Sequence, residues 1–249
     1  SVAVGRYALR KCTTGSGNVA VGLNSLQETT TASNNVALGT QALNDNTTGS
    51  FNAVLGYQAM LENTTGEQNV AIGNQALYNN ETANYNIAIG SNALLRNTTG
   101  ASNVAVGYLA LDHNTTANDN TAVGLKALTS NTTGENNTGI GFNALHSNTT
   151  GTPNTAVGAG SLTNNTTGTS NVAVGFDAAA ANQLGSSITA VGRAALSLVT
   201  GGDNSGFGRN AGNNITSGGN NTCLGFNSQA SSATVSNEIT LGNGSVSSL

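Results

Sequence analysis

A glycine returns at every seventeenth residue of this chain: Gly5, Gly22, Gly39, Gly56, Gly73, Gly90, Gly107, Gly124, Gly141, Gly158, Gly175 and Gly192. Gly208, Gly225 and Gly242 follow after steps of 16, 17 and 17, which makes fifteen copies of one unit. The consensus reads N-V-A-V-G-x-x-A-L-x-x-N-T-T-G-x-x. A unit this short cannot enclose a core by itself, so each copy has to bury surface against its neighbours. The architecture is therefore a solenoid before any single residue is interpreted.

Each position in the unit carries its own constraint. The residue before the glycine is large and apolar in most copies (Val21, Leu38, Leu55, Ile72, Ile89, Val106, Ile140, Phe207), and is expected to face a core. Two residues earlier stand β-branched Val, Ile or Thr, as in Val19, Val36, Ile87 and Thr121, which suits a strand. Between them lies a small residue, Ala20, Ala37, Ala71, Ala88 or Gly139. Neighbours on a strand point to opposite faces. One face then feeds the core, and the row of alanines is expected to pack against a flat partner.

The second half of the unit carries adjacent apolar residues, such as Ala42-Leu43, Ala76-Leu77 and Ala144-Leu145. Adjacent apolar positions break strand alternation, and Tyr57, Tyr108, Leu125 and Phe142 stand three before the Leu. That spacing predicts one helical turn per coil rather than a second strand. The Asn-Thr-Thr-Gly that follows reads as a turn, since Asn and Gly tolerate positive φ. The expected fold is thus all-β, a parallel β-solenoid of about fifteen 17-residue coils. At ~4.8 Å per coil the rod would be about 70 Å long. Residues 1–200 form the regular array. Residues 201–249 lose the Ala-Leu and Asn-Thr-Thr features and turn Gly/Ser-rich, so the rod is expected to change shape or end near Thr200.

Composition matters chiefly for what it excludes. Charged residues make up 7% of the chain, against about 25% in ordinary domains. Low charge with abundant Asn, Thr and Gly is compatible with disorder, but the strict period argues against it. A net charge of −4 makes nucleic acid and anionic membranes poor partners. No apolar run reaches the ~20 residues of a membrane helix, so membrane insertion is not expected. No leader segment is evident; the chain opens inside a repeat at Ser1, and a fragment or processed product is expected. Cys12 and Cys223 lie about twelve coils apart, more than ~50 Å in such a rod and far beyond disulfide reach. Cys12 stands for a turn Asn; Cys223 replaces a small residue and is expected to be a buried thiol.

The search for chemistry returns no catalytic, cofactor-binding or metal-binding constellation, and the chain is not expected to be an enzyme. His113 and His146 have no partner at ligand or triad spacing and read as solvated histidines. Asp45, Glu62 and Asp112 fall near one corner and read as a solubilising edge. No Lys follows a glycine loop in a phosphate-binding pattern, and the calcium-binding nonapeptide of other β-rolls is absent. Asn46, Asn63, Asn80, Asn97, Asn114, Asn131, Asn148 and Asn165 sit in Asn-x-Thr sequons. The turn reading is favoured there over glycan attachment.

The N-V-A-V-G and N-A-L-x-x-N-T-T-G units resemble the YadA-like head repeats of trimeric autotransporter adhesins. They also resemble the repeat arrays of bacteriophage and virus tail fibres. The resemblance covers nearly the whole chain, although the adhesin repeat is usually shorter than 17 residues. Asn237-Glu238-Ile239-Thr240-Leu241-Gly242-Asn243 is similar to the segment that precedes an intramolecular chaperone domain of the endosialidase type. That chaperone trimerises its fibre and cleaves itself off. The resemblance implies a homotrimeric, extracellular fibre on a virion or bacterial surface, with a host glycan or protein as receptor. A row of alanines on a thin coil points the same way, toward association with copies of itself. Two other functions were weighed. Thr ladders at Thr47, Thr64, Thr98, Thr115 and Thr132 suggest ice binding, although adjacent Thr residues in a turn do not make a flat two-column array. A polysaccharide-degrading β-helix would need clustered acids and aromatic platforms, which five Tyr and five Phe supply poorly.

Overall fold

The computed structural model describes residues 1–245. It is an all-β solenoid with no α-helix among the described residues. Two compact units divide it, Ser1–Lys126 and Ala127–Leu249. The first holds strands β1 (Val2–Val4) to β8 (Thr121–Val123), and the second β9 (Thr138–Ile140) to β15 (Ile239–Leu241). Within each unit every strand pairs in parallel with the next along the chain, one copy of the repeat on. Val19 faces Val36 and Ala20 faces Ala37; Thr155 faces Val172 and Ala156 faces Ala173.

The ladder is not confined to the strands. Val36 N–H donates to Asn52 O at 2.9 Å, and Leu43 N–H, on the opposite side of the coil, donates to Ala59 O at 3.0 Å. Thr47 N–H donates to Thr64 O at 2.9 Å. The backbone thus bonds coil to coil around most of the perimeter.

The expected helical turn does not form. The Ala-Leu segment is built of successive tight turns, such as Ala42 N–H to Gly39 O at 3.3 Å and Asn80 N–H to Leu77 O at 3.2 Å. Alternate residues are left-handed: Gln41 has φ 58° and Leu43 φ 52°, and the pattern recurs at Gln75 and Leu77 and at Asn143 and Leu145. A left-handed Leu costs roughly 1–2 kcal/mol. It persists because inter-coil hydrogen bonds hold it and because alternating handedness turns both Ala and Leu inward. Ala42, Leu43, Ala76, Leu77, Ala144 and Leu145 are fully buried. Tyr57, Tyr108, Leu125 and Phe142 point out to solvent instead of joining a helical face.

The strand faces are also reversed from expectation. The central alanines (Ala20, Ala37, Ala71, Ala88, Ala156) are completely buried inside the coil. The large residues before the glycine lie outside: Leu55 is 48% exposed, and Ile72, Ile89, Ile140 and Val174 lie on the same outer row. The cause is the thinness of the coil. A Cβ built on Gly139, at the alanine position, already meets Leu128 Cγ at 3.3 Å and Ala144 O at 3.2 Å. The interior is tight there and a methyl fills it in most coils; where Val54 takes the position, the outer strand-opening residue shrinks to Ala53. The corner glycine is equally confined. Gly158 has φ +133°, and an added Cβ would lie 2.5 Å from Gly175 O in the next coil.

Two columns of asparagine fill the rest of the interior. In the first unit, Asn35, Asn52, Asn69, Asn86, Asn103 and Asn120 stand before the strands, and each backbone N–H donates to the side-chain oxygen of the Asn one coil earlier at 2.9–3.0 Å. Their amides reach across the coil to carbonyls, as in Asn52 Nδ2 to Gly66 O at 2.9 Å. The second column is the Asn of Asn-Thr-Thr-Gly. Asn63 Nδ2 donates to Asn46 Oδ1 at 2.7 Å and Asn80 Nδ2 to Asn63 Oδ1 at 2.9 Å, and each also reaches the carbonyl three residues ahead. The second unit repeats both columns: Asn154 N–H reaches Asn137 Oδ1, and Asn148 and Asn165 link in sequence to Asn131 and Asn148. Buried polar groups are tolerated only when bonded; stacking identical coils supplies each amide with a partner above, below and across.

Past Thr200 the strand ladder continues rather than stopping. Thr189 pairs with Ser205 and Thr222 with Ile239. The single missing residue is taken up in the corner turn before Asn204, whose amide bonds Gly201 O, Gly202 O and Gly218 O.

Candidate functional site

With the alanines inside, the outer strand face becomes the feature that needs a partner. Alternation places three columns there: the β-branched residue that opens the strand, the apolar residue before the glycine, and the residue after it. In the first unit these columns include Val36, Ile87, Leu55, Ile72, Ile89, Leu23, Tyr57, Tyr108 and Leu125, all more than a third exposed. In the second they include Val172, Ile140, Val174, Phe207, Leu224, Phe142, Phe176 and Phe226. Exposed apolar residues are ordinary when scattered, but contiguous patches mark interaction surfaces. Beside this face, Phe51, Gln68, Asn69 and Val70 line a hollow of about 440 Å³.

The polar residues singled out in the sequence fall elsewhere. The sequon asparagines Asn46, Asn63, Asn80, Asn97, Asn114, Asn131, Asn148 and Asn165 have no exposed surface. Their amides are committed to the interior ladder, so the folded chain offers no glycan acceptor there. Thr47, Thr64, Thr98 and Thr132 donate their hydroxyls to carbonyls one coil on, at 2.9–3.1 Å. Of the turn threonines, that leaves the second of each turn facing outward (Thr48, Thr65, Thr99, Thr133).

His113 sits 3.3 Å from Asp112, with about two-fifths of its side chain exposed, and His146 is half-buried. Asp112 does not share the solvated edge of Asp45 and Glu62: it is buried, its Oδ1 lacks a hydrogen-bond partner, and burial pushes its carboxyl above the usual range. Lys11 pairs with Glu28, which lowers that carboxyl's pKa. Cys223 is a buried thiol, pushed up by desolvation, and Cys12 is half-buried with Sγ 3.4 Å from Gly15 O, the contact an asparagine makes in later coils. Among the described residues no group of three or more His, Cys, Asp and Glu is placed to hold a metal ion. No helix of the described residues is long and apolar enough to cross a membrane.

Comparison with family models, with curated proteins and with solved structures finds no match.

Proposed function

We propose that this chain is a structural and recognition segment of an extracellular fibre or surface adhesin, such as a virion tail fibre, and that it works as a homotrimer. One observation carries the reading: in each unit the residues before the corner glycines form an outer row of Val, Ile, Leu and Phe, as at Leu55, Ile72, Ile89, Ile140, Val174 and Phe207, on coils whose backbones already bond one another. A flat apolar column repeated at each coil matches a second identical column without any further adaptation, which favours copies of the same chain over an unrelated partner. The alanine row plays no part in that contact. Uniform coils and low charge suit a spacer that holds a receptor-binding surface away from a virion or cell.

Solution mass by light scattering tests it. About three times the 24.6 kDa chain mass is expected. Replacing Ile89 and Ile140 by Lys should reduce the mass to that of one chain while leaving the circular-dichroism spectrum intact, since both point outward. A wild-type chain that stays single at every concentration tested would overturn the reading.

A further inference from the structure

The second unit carries only two Lys or Arg residues, Arg193 and Arg209. Each follows a corner glycine directly, Gly192 and Gly208, so both occupy the outer column that begins the turn. The residues at the same position one coil before and one coil after are Phe176 and Phe226. Backbone bonds tie the four in consecutive rungs: Ala194 N–H to Phe176 O at 2.8 Å, Asn210 N–H to Arg193 O at 2.9 Å, and Asn227 N–H to Arg209 O at 2.9 Å. Adjacent rungs are ~4.8 Å apart, so the two arginines occupy neighbouring rungs of one outer column, flanked by the two phenylalanines.

Each arginine leans toward its own phenylalanine. Arg193 Cζ lies 6.0 Å from the Phe176 ring centroid and Arg209 Cζ lies 4.9 Å from that of Phe226. All four are exposed, and the rings are 52% and 54% accessible. Among the described residues neither guanidinium is in an ion pair. Asp177, beside Phe176, turns toward the preceding coil, with its carboxylate over Gly160. Like charges on neighbouring rungs repel, and among the described residues no carboxylate pairs with either.

We propose that Phe176, Arg193, Arg209 and Phe226 form a binding site for an acidic glycan. The two guanidinium forks, one beside each ring, take the anionic oxygens of an acidic chain, carboxylates or sulfates, in the bidentate geometry that favours arginine over lysine. The flanking rings offer flat apolar faces to the C–H face of the sugar. Nucleic acid fits less well, because two cations in a net-acidic chain give a negligible phosphate footprint. This site rests on the recognition role proposed above and names its ligand class.

Calorimetric titration with an oligogalacturonide, a sulfated dextran oligomer and a neutral dextran oligomer tests the site. Binding of an acidic oligomer, absence of binding by the neutral one, and weakening between about 0.05 and 0.3 M NaCl are expected. R193Q/R209Q should lower affinity at least about tenfold. R193K/R209K keeps the charge and should still lose affinity through the missing fork. F176A/F226A should weaken binding with unchanged salt dependence. Which acidic oligomer binds assigns the anionic group. Wild-type protein that binds neither, or variants with wild-type melting temperatures and undiminished affinity, would overturn the site. Light scattering on the same samples separates the two ideas: a trimer that binds no acidic glycan overturns this site alone, and a single chain that binds one upholds the site while refuting self-association.

Discussion

The coils before and after Thr200 in the second unit solve the same problem with different chemistry. From Asn131 to Asn182 the interior beyond the Ala-Leu pair is amide: Asn148 bonds Asn131 at 2.9 Å, Asn165 bonds Asn148 at 2.8 Å and Asn182 bonds Asn165 at 2.8 Å. After it the same column is Val199 and Ile215, both completely buried. At the junction Asn182 Oδ1 is left buried without a partner, because Val199 has no amide to offer it. The interior leucine position varies separately: it is Leu162, Ala179 and Leu196, then Gly212, where an added Cβ would lie 2.7 Å from Leu196 Cδ2 and 3.3 Å from Ile215 Cδ1. In that coil Ile215 fills the space that the missing leucine leaves. The Asn column before the strands, broken once by Ile188, resumes at Asn204 and Asn221. A buried amide in this unit is therefore acceptable as part of a column, and where the turn column ends its place is taken by Val199 and Ile215.

Exchanging the two solutions should produce the largest effect. Asn148→Ile strands Asn131 Oδ1 and removes a bond from Asn165, and is expected to destabilise the chain by about 2–4 kcal/mol. Ile215→Asn places an amide among Leu196, Gly212 and Cys223 and should cost a similar amount. Urea denaturation of both variants measures this; tolerance of either swap would mean that the two interiors are interchangeable.

Glycines should contrast nearly as sharply between the corners of the regular coils and the chain end beyond the last corner. Gly158→Ala combines a left-handed φ with a clash against Gly175 O, and about 2–3 kcal/mol of destabilisation is expected. Gly244→Ala, with nothing within 4 Å of the added Cβ, should leave the melting temperature unchanged.

Asp112 gives the smallest effect and tests the column rule from outside it. Its folded pKa is raised above 3.8, first by burial. The folded state then binds the proton more tightly, so this group favours folding at low pH and that contribution is lost as pH rises through the folded pKa. Asp112→Asn should flatten the fall in melting temperature above pH 3.8 and leave the protein at least as stable at pH 7. A variant less stable at neutral pH would show that the contact with His113 outweighs burial.

Much of this fold was legible in the chain. The 17-residue glycine period gave the coil, the strand position and the parallel register, because a corner that excludes a Cβ must recur at every coil. The orientation of the strand was not legible. Alternation in Val-Ala-Val defines two faces, but which is inner depends on the width of the coil, and that width is set by Leu128 and Ala144 on the opposite side. The buried asparagines were read as turn formers because an isolated amide belongs at the surface; only stacked copies give it partners. The outward column that follows the glycines was obscured because the spacing of Tyr57, Tyr108, Leu125 and Phe142 to the residue three on reads as a helical turn.

The sequence by itself determined that this chain is a stack of repeated β-coils, since a 17-residue unit with one β-branched strand and one corner glycine is too short to close a core alone. The tertiary structure alone decided that the strand alanines and the stacked asparagines go inside and that the large residues before and after the corner glycines go outside. The reason is spatial: the space behind the strand is tight and is filled by alanine in most coils, and hydrogen bonds between neighbouring copies make a polar interior stable.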